Sequence, residues 1–85
     1  MKRYRSGRWI NGGNHFASDG NVLFVREGLG GKFKAFVKPE AEPSDTLKAH
    51  AARFKGLEWR NTAEEAQADL DALAAKKRWW EVENA

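Results

Sequence analysis

The sequence predicts an α+β fold: an antiparallel four-stranded β-meander, one long C-terminal helix packed on it, and a shorter helix before that helix. Three observations lead there. The first 38 residues alternate short apolar-bearing runs with Gly-rich turns. Residues 62–78 carry a helix-start signature followed by an apolar stripe at helical spacing. A single domain is all that 85 residues supply, with a core that buries only about 60% of the unfolded surface.

The strands are expected at 3–10, 14–18, 22–27 and 32–38. Asn11-Gly12-Gly13 separates the first two. Asp19-Gly20 suits a two-residue type I′ hairpin between the second and third. Gly28 to Gly31 forms the last loop, which sets Glu27 opposite Lys32. Side chains alternate faces along a strand. One face then collects His15, Ala17, Val22, Phe24, Phe33, Ala35 and Val37 as the core. The other collects Phe16, Leu23, Val25, Lys32, Lys34, Phe36 and Lys38. In the first strand, regular alternation puts Arg3, Arg5 and Trp9 together. A bulge at Ser6-Gly7 turns Trp9 inward with Tyr4 instead.

After a linker at 39–43, Ser44 caps an expected helix over 44–55, with Leu47, Ala51 and Phe54 on one side and Gly56 ending it. The main helix follows at 62–78. Thr62 and Glu65 form a capping box, and Ala66, Leu70, Leu73 and Ala74 form the buried stripe. Lys76, Lys77 and Arg78 close it, as the helix dipole prefers. Residues 79–85 are read as a short strand or a hydrophobic tail.

Charge is distributed unevenly. Residues 1–40 hold eight Lys/Arg and three acids, a balance of +5; residues 41–85 hold seven and nine, a balance of −2. A basic half points to an anionic or interaction partner. The chain has no cysteine, so disulfides and thiolate metal sites are excluded. The basic N-terminus has no apolar run behind it, and no stretch approaches the roughly 20 apolar residues of a membrane span. A soluble, cytoplasmic protein is expected, in the host cell if phage-encoded.

No motif fixes an enzymatic chemistry. "GLGGK" at 28–32 fails as a phosphate loop: Arg26 stands where a Gly is needed and Phe33 where Ser or Thr is needed. A hairpin turn accounts for its glycines. His15 and His50 have no partner at ligand spacing. Neither a catalytic residue, nor a metal site, nor a cofactor is expected.

The candidate binding residues are Arg3, Arg5, Arg8, Trp9, Lys32, Lys34, Phe36 and Lys38. Cations neutralise phosphates and exposed aromatics stack on bases. The bland reading is that lysines guard a strand edge and the aromatics fill the core. Trp and Arg are also enriched at the centres of protein interfaces. Trp9, Trp59, Trp79 and Trp80 are hard to hide in so small a core, so a partner protein or a homodimer seam is a second expectation.

Two resemblances bear on this. "GRW" (7–9), the strands after it and "WRNTAEEA" (59–66) resemble the arm-type DNA-binding domain of phage integrases, in which three strands precede an F-x-T-x-x-E-A-like helix start. Trp59 stands for the aromatic, Thr62 for the Thr, and Glu65-Ala66 for the Glu-Ala. One extra residue separates Trp59 from Thr62, and residues 39–57 are inserted. The chain is also similar to small phage or mobile-element inhibitors such as anti-CRISPR proteins, which are small α+β domains without Cys or catalytic motifs. That likeness implies a non-enzymatic inhibitor that binds a host protein or ribonucleoprotein complex handling nucleic acid and blocks substrate access. The other implies a small basic DNA- or RNA-binding module.

Overall fold

The computed structural model describes residues 1–82. It is an α+β structure of one five-stranded antiparallel sheet and one helix. The strands are β1 (Arg3–Ile10), β2 (His15–Glu27), β3 (Phe33–Pro39), β4 (His50–Ala51) and β5 (Trp80–Val82), and the helix is α1 (Ala63–Lys77). Across the sheet the order is β4-β3-β2-β1-β5. Two of the four expected strands are therefore one strand, β4 lies where the shorter helix was expected, and β5 is the short strand expected of the tail.

α1 forms where its local chemistry places it. The Thr62 hydroxyl oxygen accepts from the Glu65 backbone N–H at 3.1 Å and donates to Glu65 Oε1 at 3.0 Å. Ala66, Leu70, Leu73 and Ala74 are its buried residues, the stripe read from the sequence. Arg78 ends it in the left-handed conformation, and its N–H reaches back to the Ala74 and Ala75 carbonyls. The helix packs mainly on β2 and β3. Its stripe meets Tyr4, Leu23, Ala35, Ala52, Leu57 and Trp79, with Phe16, Val25, Val37 and Phe54 around them. Tyr4 reaches across to α1, where its hydroxyl donates to Asp71 at 2.8 Å.

Three expectations for the sheet are corrected. Asp19-Gly20 is not a hairpin. β2 runs unbroken through it, and the register steps from Arg5↔Val22 to Gly7↔Ser18. Two residues of β1 thus span four of β2, a bulge carried by Gly20 at φ 79°. The Ser18 hydroxyl accepts from the Gly20 N–H at 3.0 Å and braces it. Asn11, Gly12 and Gly13, all with positive φ, already turn the chain between β1 and β2.

The β2–β3 register is the second correction. Glu27 lies opposite Phe33, and Gly28 N–H donates to the Lys32 carbonyl at 2.8 Å, so the loop is one residue longer than expected. A one-residue slip exchanges the faces of a strand. Leu23 and Val25 therefore face α1, while Val22 and Phe24 lie on the opposite face with Lys34, Phe36 and Lys38. His15, expected in the core, is exposed.

The third correction is the helix at 44–55, which does not form. The Ser44 hydroxyl accepts from the Thr46 and Leu47 N–H groups, so a turn begins. Lys48 then adopts φ 60°, and His50–Ala51 pair with β3. Residues 40–49 instead cross the face opposite α1 and help bury Val22 and Phe24 beneath them. Leu57 folds back into the core. Of the expected tail, Trp80–Val82 form β5; residues 83–85 lie outside the described residues.

Candidate binding surface

The face opposite α1 divides into a centre and two ends. At the centre, cations converge on Asp45. Arg3 Nη1 donates to Asp45 Oδ1 at 2.9 Å, and Nη2 donates to Oδ2. Lys38 Nζ donates to Asp45 Oδ1 at 2.7 Å and to the Ser44 carbonyl at 3.1 Å. Arg26 Nη1 donates to the Asp45 carbonyl at 3.1 Å. Arg3 and Lys38 both stand over the Phe24 ring, at 4.6 and 5.4 Å. Hydrogen bonds from Arg3, opposed by burial and joined by those from Lys38, hold the Asp45 carboxyl well below the usual carboxylate range. Arg5 grips Glu40 with two bonds, at 2.8 and 2.6 Å, and lowers its pKa in the same way. An open cleft of about 560 Å³ lies here, with Val22 and Phe24 among its lining and both signs of charge on its rim.

Three expected binding cations, Arg3, Arg5 and Lys38, are therefore each matched by an acid of this chain. Lys38 is only 5% exposed. Lys32, by contrast, is exposed and hydrogen-bonds Asn61.

The end near the β2–β3 loop holds the expected residues Lys34 and Phe36. Phe36 is buried beneath its neighbours, with Trp59 edge-on at 6.0 Å and Arg26 over its ring at 4.4 Å. Lys34 Nζ stands 5.6 Å from the Trp59 centroid. Gly28 is required here: a Cβ would lie 2.6 Å from the Trp59 ring.

The other end is shared with the α1 side: the β1–β2 hairpin and β5 meet Arg78 at the helix end, and Phe16 also packs against the core. Trp9 is paired with Phe16 across the strands, and Trp80 stands opposite Arg5. The register shift falls between Arg5 and Gly7; Ser6 and Gly7 are both buried, and beyond them Trp9 is half-buried between exposed Arg8 and Ile10. Phe16 and Trp80 stack at 5.0 Å with an interplanar angle of 14°. Trp9 packs against both, at 5.3 and 6.4 Å. The Arg78 guanidinium lies 4.3 Å from the Trp9 centroid, and Trp9 Nε1 donates to the Arg78 carbonyl at 2.9 Å. Gly7 leaves room for Phe16, whose ring would be 2.6 Å from an added Cβ.

Trp79 and Trp80 part company at the strand. Trp79 is buried and donates its Nε1–H to the Gly7 carbonyl at 3.1 Å; Trp80 is 48% exposed. Segments 6–18 and 72–80 contain Arg8, Lys76, Lys77 and Arg78 and neither Asp nor Glu; β5 adds Glu81, which pairs with Lys2 at 3.9 Å. Of the expected site residues, only Arg8 and Trp9 belong here. Phe16 joins them as the cross-strand partner of Trp9, and Arg78 and Trp80 through the pairing of β5 with β1, which no local pattern announces.

Among the described residues, no three His, Cys, Asp or Glu side chains are grouped to hold a metal ion, and no helix is long and apolar enough to cross a membrane. No family model, curated protein or solved structure matches this chain.

Proposed function

We propose that this chain is a non-enzymatic binding protein of the anti-CRISPR-like inhibitor type. It engages a host protein or ribonucleoprotein complex that handles nucleic acid, and it blocks access of the substrate. The observation that carries this reading is the Arg78–Trp9–Phe16–Trp80 array, a partly exposed aromatic and guanidinium cluster at a cation-rich end of the fold. Trp and Arg are the side chains that most often dominate binding energy at interfaces. The array is held rigidly, because Trp9 is bonded to the helix end and Phe16 is seated over Gly7. Little side-chain freedom is lost when a partner covers it.

The test is site-specific photo-cross-linking in host cells. A photoreactive residue at Trp80 is expected to capture a nucleic-acid-handling protein, and the purified chain is expected to slow that complex's turnover. The control position is Leu29, 98% exposed in the β2–β3 loop at the other end of the sheet. Capture of the same proteins from Leu29, or of no nucleic-acid-handling protein from Trp80, contradicts the reading.

A further inference from the structure

We propose that the hairpin–helix end binds single-stranded nucleic acid directly, with a base on the outer face of Trp80 and phosphates on Lys76, Lys77 and Arg78. The inference rests on the reading above and names what the surface touches: the strand that the partner complex carries.

Three observations favour a nucleic acid strand over a protein at this end. First, its charge is mainly positive. Lys76, Lys77 and Arg78 close α1 here, Lys76 and Lys77 are exposed with no acidic partner among the described residues, and Glu81 of β5 is engaged by Lys2. A polyanion is the complement of such a surface. The centre of the face opposite α1 is different: there each of Arg3, Arg5 and Lys38 is matched by Asp45 or Glu40.

Second, one face of Trp80 is stacked on Phe16, and among the described residues no ring or cation lies over the other. A flat aromatic backed by a second ring is a platform for an unpaired base. In a duplex the base faces are occupied by their neighbours, so the platform selects single strands. Third, Arg78 already lies over Trp9 and donates to the Gly13 carbonyl. Its guanidinium is thereby held beside the platform, where a backbone phosphate would follow a base stacked on Trp80.

The experiment is fluorescence anisotropy with labelled oligothymidylate and oligouridylate, against a duplex of equal length. Single strands are expected to bind more tightly than duplex and to weaken steeply between about 50 and 200 mM salt. Trp80→Ala is expected to weaken binding about tenfold, and Trp80→Phe to restore most of it. The double variant Lys76→Gln, Lys77→Gln is expected to lower the log–log salt slope by about 1.4. Arg78 is left in place because its side chain packs over Trp9 and bonds the Gly13 carbonyl. Circular dichroism of each variant checks the fold.

No binding of either single strand at low salt overturns the inference, as does tighter binding of duplex. So does an affinity untouched by both variants. If Trp80 still cross-links a nucleic-acid-handling protein while the oligonucleotides fail to bind, the inference falls and the reading as a protein-directed inhibitor stands. If neither occurs, both fall.

Discussion

Replacing Asp45 with alanine is expected to release the 40–49 segment from the sheet. The magnitude follows from what Asp45 holds. It accepts two bonds from Arg3 and one from Lys38. A hydrogen bond to a charged group contributes about 1.5–3 kcal/mol when well buried. The Asp45 side chain is 45% exposed, so solvent screens the Arg3 share to about 0.5–1 kcal/mol. Lys38 is different, because its side chain is nearly buried and would keep only the Ser44 carbonyl and the Phe24 ring. Leaving that ammonium short of its counterion costs about 1–2 kcal/mol more. The sum is about 2 kcal/mol. For a domain of this size the urea m-value is about 1 kcal/mol/M, so the unfolding midpoint falls by about 2 M. The decisive arm is a double-mutant cycle with Lys38→Met, which keeps the stem and removes the charge. In that background Asp45→Ala is expected to shift the midpoint by less than half as much. An equal shift in both backgrounds refutes the claim that Lys38 burial sets the cost. The pH arm has a definite sign: Asp45's folded value is depressed, so its contribution is complete above the ordinary carboxylate range and is lost only as pH falls towards that depressed value.

Gly7→Ala places a Cβ 2.5 Å from the Ala17 carbonyl oxygen and against the Phe16 ring. It is expected to cost about 1–3 kcal/mol in urea unfolding and to disturb the Phe16–Trp80 stack. Tyr4 is the single tyrosine, and burial, aided by its bond to Asp71, raises its pKa to about 12. Its phenolate absorbance should therefore appear near pH 12 in the folded protein. The stability linked to Tyr4 is complete below pH 10 and is lost as pH rises through about 12. A transition at the ordinary tyrosine value, with the fold intact, refutes the burial account. Thr62→Ala removes the N-cap acceptor and is expected to cost about 1 kcal/mol by thermal or urea unfolding, while Thr62→Ser costs little.

Legibility followed the range of the interactions. α1 was readable because its cap, stripe and terminal charges act within a few residues, and all four stripe positions are buried. β1 and β3 were readable for the same reason. Asp19-Gly20 was not, because a glycine at positive φ serves a bulge as readily as a turn; the choice was made by pairing with β1. The segment after Ser44 started its turn locally but was drawn away by Asp45 bonds to residues as much as 42 positions distant and by β4 pairing with β3. At the surface, Arg3, Arg5 and Lys38 were recognisable as cations, but their acids, Asp45 and Glu40, come from a segment expected to be linker and helix. The half-buried setting of Trp9 depends on the irregularity at Ser6-Gly7, which arises from pairing with β2. Trp79 and Trp80 are adjacent in the sequence, yet only β5 lying beside β1 sends one into the core and the other outward.

The most direct measurement is an amide and indole NMR titration with oligothymidylate. The protein gives four indole N–H signals, one from each Trp. The account predicts that Trp9 and Trp80 move together with the backbone of Lys76, Lys77 and Arg78. Buried Trp79 and distant Trp59 should hold still. Shifts confined to Trp59, Lys34 and the β2–β3 loop, or the absence of any shift at saturating oligonucleotide, would contradict it.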